Sequence, residues 1–301
     1  MLSSLDPASS AFLNGLDLIQ RRAQTAQTQL TTGLKINQVS DDPGQIPSLF
    51  QTQSELARVQ STTSNLNNVK AEVDAGQSAL QSAVSLLEQA QSLGVQGETG
   101  FASADTRNQI ANQLGTILQQ MVAIANTTEG GRYIFSGDSD QTPPYTIDLT
   151  KTNPVSAYAG SAATRQVESP DGTSFAVSKS GQEIFDSTDP TTNVFVTINN
   201  MRNALLNNDQ AAIDTAIPDM KSAGSYLNQQ LAFYGVTQDQ VNSGLNTGAN
   251  MTTQLQTRLS GIQDADATQA IMESQSAQVQ MQAALSSWSQ IPRKSLFDYL
   301  G

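Results

Sequence analysis

Three pairs of aspartates are the nearest this sequence comes to catalytic or metal-binding equipment: Asp41 with Asp42, Asp138 with Asp140, and Asp264 with Asp266. Two carboxylates held together can divide acid and base duties or ligate a hard cation. None of the three pairs carries the rest of such a site. Counting from Asp264, the glycine and glutamate that a calcium loop needs at its sixth and twelfth positions are Gln269 and Gln275, so a helix-end cap is the expected role. Asp138 and Asp140 precede Pro143 and Pro144 and read as a turn. Asp41 and Asp42 are adjacent and do not converge on one substrate. Asp42 instead suits the start of a helix, with Pro43 at the first helical position and Gln45 three residues on, although Pro47 moves that start toward itself.

The chain has no histidine and no cysteine. That removes imidazole acid–base chemistry, thiolate nucleophiles, Ser-His dyads, disulfides and Cys/His zinc sites together. A Ser-Lys dyad has no motif to support it. The reading is therefore a non-enzymatic protein with no catalytic residue, cofactor or metal. Charged residues are 14% of the chain, against about a quarter in ordinary soluble domains, and the net charge is -12. An excess of acid disfavours both nucleic acid and an anionic membrane surface as partners. Arg132, Tyr133 and Phe135 hold one arginine, not a basic patch. They read as a joint, with Gly130, Gly131 and Gly137 free to take backbone conformations other residues avoid. The longest apolar run, residues 121–125, predicts no membrane span, and the opening MLSSLDPASS lacks the features of a secretory signal.

The elements that would position any site are long helices. Phe12, Leu16, Ile19, Ala23, Ala26 and Leu30 alternate spacings of four and three, a narrow coiled-coil stripe ended by Gly33. Val59, Leu66, Val73, Leu80 and Leu87 recur every seven residues, with Val69, Gly76, Ala83 and Ala90 as the second core position. A helix over 49–90 would run roughly 60 Å. Ile110, Leu114, Ile117, Met121 and Ile124 form a third stripe. The later part of the chain repeats the pattern in Met220, Gly224, Leu227, Leu231 and Tyr234, then in Leu255, Leu259 and Ile262, and finally in Ile271, Met281, Leu285 and Trp288. Between these lies a stretch rich in Pro, Asp, Gly and Thr. Short strands are expected there at 145–149, 155–160, 165–168, 175–178 and 183–185, with Pro170-Asp171-Gly172 as a turn.

The predicted fold is mainly α with a β-rich insertion: a coiled-coil rod built from both ends of the chain, with a small β domain inserted in the middle. Its parts are an N-terminal assembly helix (1–40), the first half of the rod (41–137), the insert (138–193), the second half of the rod (194–254) and a C-terminal assembly helix (255–301). A single narrow seam does not offset the entropy of ordering a terminal helix. Both ends therefore need neighbours. The outer faces carry Gln, Ser, Thr and Asn, which are cheaper to bury than ions. The expected assembly interface is Phe12, Leu16, Ile19 and Leu30 with Ile271, Met281, Leu285 and Trp288, extended by the apolar tail Leu296, Phe297 and Leu300.

TTGLKINQVSDDP (residues 31–43) resembles a motif of the flagellin superfamily of bacterial flagellar axial proteins, with Gly33, Leu34, Lys35, Asp41 and Asp42 on the shared positions. Asp-Asp-Pro and the segment ANTTEGGRYIFSG (125–137) are similar to the branch between hook and filament, not to filament flagellins. Tyr158, Gly160, Gly181 and Phe185 in the insert, IQDADATQAI with Gln263 in place of the usual Glu, and SLFDYL at 295–300 extend the likeness over most of the chain. The first fifteen residues and Pro47 depart from it. The resemblance implies a structural subunit of the flagellum exported by its type III apparatus, located outside the cell at the hook–filament junction. It also implies partners: further copies of itself in a ring, the first junction protein, flagellin, and an export chaperone over the C-terminal helix. The alternatives are a filament flagellin, a surface adhesin using Tyr145 and Tyr158, and a secreted hydrolase, which would need a pocket holding a perturbed acid or base.

Overall fold

The computed structural model describes residues 7–99 and 102–290, and the chain divides into two compact units. One takes the residues up to Arg58 together with those from Thr252 onward; the other is 59–251. The elements in order are α1 (Pro7–Thr32), α2 (Ile46–Glu98), α3 (Ala104–Ala125), β1 (Thr128–Glu129), β2 (Arg132–Tyr133), β3 (Gln166–Glu168), β4 (Ser174–Ala176), α4 (Gly181–Phe185), α5 (Val194–Leu206), α6 (Gln210–Gln263) and α7 (Ala267–Ser289). The fold is mainly α with a small β insertion, as the sequence predicts.

The core of unit 59–251 follows the heptads of α2. Val59, Leu66, Val73, Leu80 and Leu87 are all buried, as are Val69, Gly76, Ala83 and Ala90 on the second position. Gly76 is there because Tyr234 of α6 lies against its backbone: a Cβ on Gly76 would fall 2.5 Å from the Tyr234 ring. Buried Ile110, Leu114, Ile117 and Met121 of α3 join this core, and α3 packs on α5. At one end Arg107, only 6% exposed, donates to Gly97 O (3.0 Å), Asn208 Oδ1 (2.6 Å) and Gln210 Oε1 (2.6 Å). This buried cation is satisfied by neutral acceptors contributed by the last turn of α2 and by the junction between α5 and α6.

The insert holds less regular strand than its composition suggests. β3 and β4 pair antiparallel around Pro170-Asp171-Gly172; β3 lies within the expected 165–168, and β4 begins one residue before the expected 175–178 and ends at Ala176. The stretches 145–149 and 155–160 meet through the single bridge Ile147–Val155. The strand expected at 183–185 is helical instead, part of α4. Ser180 caps that helix by accepting from the Glu183 amide at 3.2 Å, and Ser-x-x-Glu is the sequence form of a capping box; this local signal outweighs the β preference of Ile184 and Phe185. The hairpin β1–β2 was not read from the sequence. Its turn, Gly130-Gly131, has φ of 57° and 78°, the paired positive values of a tight type I′ hairpin.

Glu72 of α2 fastens this hairpin and the insert to the helices. Its side chain is 16% exposed and accepts from Arg132 Nη2 and Arg165 Nη1, both at 2.6 Å. Charge-assisted bonds of this length are the stronger kind, although both arginines keep contact with water and part of the energy is screened. Glu72→Gln is expected to cost about 1–2 kcal/mol and to lower the thermal midpoint by a few degrees, measured by circular dichroism; an unchanged midpoint would contradict the clamp.

Candidate functional site

The unit formed by the chain's two ends contains α1 and α7, packed antiparallel. Phe12 near the start of α1 stacks on Trp288 near the end of α7, with ring centroids 4.2 Å apart and planes 12° apart. Along α1 the seam residues Phe12, Leu16, Ile19, Ala23 and Leu30 are half-buried and Ala26 is buried, while nearly every other position from 11 to 32 is exposed. On α7 the inward residues are Ala270, Ser274, Ala277, Met281, Ala284 and Trp288, again in steps of four and three. Small residues here allow the two backbones to approach closely.

The expected interface residues thus fall into three groups. Phe12, Leu16, Ile19, Leu30, Met281 and Trp288 lie on the seam between the two helices. Ile271 and Leu285, read from the sequence as part of that stripe, do not: they are 46% and 51% exposed, one position off the inward register. Leu296, Phe297 and Leu300 lie outside the described residues. Sequence reasoning missed Ala270, Ala277 and Ala284, whose signal was the unbroken four–three spacing and not their size.

A joint holds the far end of the pair. Gly33, at φ 71°, ends α1 and accepts through its carbonyl from the Ala265 amide at 2.9 Å. The Lys35 amide donates to Gln263 O at 2.6 Å, so residues 33–35 add a short antiparallel bridge to the break between α6 and α7. Asp266 caps α7, accepting from the amides of Thr268 (2.8 Å) and Gln269 (3.1 Å). Asp264 accepts from Ser260 Oγ. These bonds account for both aspartates as helix-end groups. Asp42 differs from the expected cap: α2 begins at Ile46, the Leu49 amide bonds to Gln45 O, and the Asp42 carboxylate pairs with Lys35 Nζ at 2.9 Å. Pro47 fits within the first turn, where its missing N–H would have no helical partner.

The loop between α1 and α2 is held by these carboxylates. Some burial raises the Asp41 carboxyl, but the amides of Asn37 and Gln38, each 2.9 Å from Oδ2, outweigh it and hold the group below its ordinary 3.8. The hydrogen bond from Lys35 does the same for Asp42. Groups lowered on folding stabilise above their unfolded value, and that contribution is lost as the pH falls through the folded one. The protection of the 33–45 amides, measured relative to their intrinsic exchange rate at each pH, is therefore expected to fall as the pH drops below 3.8, while that of 66–90 holds; an equal loss of protection in both segments would contradict this.

Contrasting burial sets this unit apart. Among its described apolar residues only Ala26, Ile36, Leu49, Leu255, Ala270 and Ala277 are buried. Leu13, Leu18, Val39, Phe50, Ile271, Met272, Val279 and Leu285 are all exposed. No helix among the described residues is long and apolar enough to cross a membrane.

The helical pair joins segments from the two ends of the sequence, and it is these two ends that comparison with known proteins matches. The bacterial flagellin N-terminal helical region matches residues 5–140 and the bacterial flagellin C-terminal helical region matches 210–300. The chain belongs to the flagellin family of flagellar structural proteins. Within that family it is similar to flagellar hook-associated protein 3 of Escherichia coli, 29% identical over 233 residues that make up 74% of this chain and 67% of that one. The hook-associated protein 3 of Salmonella typhimurium is 26% identical over 260 residues, 79% of this chain and 72% of that one. In fold it is similar to FlgL of Xanthomonas campestris, at a TM-score of 0.60 and 21% identity over 69% of this chain and 99% of that one. It is likewise similar to hook-associated protein 3 of Legionella pneumophila, at a TM-score of 0.62 and 13% identity over 70% and 98%.

Proposed function

We propose that this chain is a structural subunit of the hook–filament junction, and that α1 and α7 complete their folding by packing against neighbouring subunits. The observation that carries the assembly step is the burial contrast: among its described residues the unit built from the chain ends fully buries only Ile36, Leu49 and Leu255 of its larger apolar side chains and leaves eight exposed, which a monomeric protein rarely does. The hook-associated protein 3 relatives favour the junction over the filament as the place of assembly. Ring neighbours would cover Leu13, Leu18, Ile271, Met272, Val279 and Leu285, with the first junction protein on one side and flagellin on the other. Before export through the flagellar type III route, a chaperone would cover the same face of α7. The boundaries 1–40 and 255–301 then mark the assembly segments, with 41–137 and 194–254 supporting the insert at 138–193.

Deletion of the gene tests the reading. Electron microscopy of the cells is expected to show hooks without filaments, with monomeric flagellin in the medium; filaments of normal length would overturn the junction role. A filament flagellin would polymerise by itself, so long filaments grown from the purified chain would favour that alternative.

A further inference from the structure

Between the insert and the start of α5 lies a cleft of about 320 Å³ that no part of the assembly reading uses. Its walls are Pro154 and Val155 on one loop and Phe195 and Val196 in the first turn of α5. Two polar side chains, Asp186 and Asn199, line it between these apolar walls.

Both polar groups present unused acceptors. Asn199 is 7% exposed, and its Oδ1 is buried without a hydrogen-bond partner. Its orientation is fixed from the other end, because Nδ2 donates to the Thr152 carbonyl at 3.1 Å and a flipped amide would set two acceptors against each other. Asp186 accepts one bond, from Asn193 Nδ2 at 2.7 Å, and no lysine or arginine among the described residues pairs with it. Burial raises its carboxyl above the ordinary range. The hydroxyl of Tyr145, whose ring packs on Phe195 at 5.0 Å, is also buried and unpartnered, and is close enough to Asp186 to sense its charge.

A half-buried carboxylate with no counter-ion, a second acceptor with nothing to accept, and aliphatic and aromatic walls are complementary to one kind of ligand. It is a cation with several N–H donors on a short apolar stem. We propose that this cleft binds an alkylammonium group, with the ammonium between Asp186 and Asn199 and the stem against Val155 and Phe195. An anion would meet Asp186 head-on, and a neutral alcohol would leave the carboxylate without a counter-charge. The group could arrive on a free small amine or on a lysine side chain from another copy of the chain in the assembled structure.

Titrating the purified full-length chain with n-butylammonium, followed by NMR shifts of residues around 153–157 and 193–199, tests the free form, with n-butanol as the uncharged control. Saturable binding of the amine, at least tenfold tighter than the alcohol and about tenfold weaker in Asp186→Asn, a loss of ~1.4 kcal/mol, is the expected result. Asn199→Val, which keeps the helix, is expected to weaken it as well; circular dichroism shows that both variants are folded. The second source is tested on the assembled protein by zero-length carbodiimide coupling: a cross-link from Asp186 to a lysine of another copy would place the ammonium on a subunit. Equal affinity for amine and alcohol, or no amine binding together with no such cross-link, would overturn the proposal and leave the acceptors to bound water.

Discussion

Gly137→Ala is expected to unseat the insert. Gly137 has φ 60°, a conformation that costs an L-residue roughly 1–2 kcal/mol, and a Cβ there would lie 2.3 Å from the Ser161 carbonyl oxygen and 3.1 Å from that of Ala163. Both obstacles are backbone, so no rotamer change relieves them. The Ser161 segment is itself tied to the joint. Its amide donates to Ser136 O at 2.9 Å, and Tyr158 Oη bridges the carbonyls of Phe135 and Ser161 at 2.8 and 3.0 Å. Pushing Ser161 away would break that bridge and disturb buried Phe135, which meets Phe185 and Tyr234 edge-on. The expected loss is on the order of 4 kcal/mol, a fall in thermal midpoint of about 10 °C for a unit of this size. Gly131→Ala is the control. Its φ is 78° but nothing lies within 4 Å of the added carbon, so only the conformational penalty of about 1 kcal/mol is expected. Equal midpoints for the two variants, by calorimetry or circular dichroism, would show that the contact with Ser161 does not matter.

The same joint shows what the sequence could disclose. Three glycines around Arg132, Tyr133 and Phe135 announced unusual backbone, and all three have positive φ. The partners were not legible: nothing along the chain connects Gly137 to Ser161 or Glu72 to both arginines, because those contacts depend on the path of the insert. The long helices were legible for the opposite reason. A seam of constant period contains its own register, and every residue assigned to the α2 heptads is buried. Reading failed where local chemistry competed with size. Ile184 and Phe185 suggested a strand, but Ser180 and Glu183 close a helical turn around them. In α7, Ile271 and Leu285 attracted attention as the larger apolar residues, while the helix turns its alanines toward α1. Two helices in close contact favour small side chains at the contact, so bulk pointed to the outer face. The aspartates gave a mixed result. Asp266 is the cap its position suggested, whereas Asp42 gave up that role to pair with Lys35. The cleft beside Asp186 left no trace in the sequence, since its acceptors are some dozen residues apart and belong to different turns of the chain.

Ala277→Asp is expected to separate assembly from folding of the rest of the chain. Ala277 is 2% exposed at the centre of the α1–α7 seam, whose other described positions are apolar or small side chains. Burying an unpaired charge costs several kcal/mol, more than a seam whose fully buried residues are Ala26, Ala270 and Ala277 can sustain, so the helices should part. Hydrogen exchange is expected to quicken throughout α1 and α7, while protection over 66–90 and 110–122 stays at its normal level, because that core is built from other residues. Cells carrying the variant should secrete it yet bear hooks without filaments. The exposed positions give the contrasting case. Val279→Asp, two residues further along the same helix and 66% exposed, leaves the pair intact in an isolated molecule. If neighbouring subunits cover that face, the substitution should still abolish filaments without altering exchange in the monomer. Normal filaments from Val279→Asp would show that this face of α7 stays in water after assembly, and normal filaments from Ala277→Asp would show that the pairing of the chain ends is not what assembly requires.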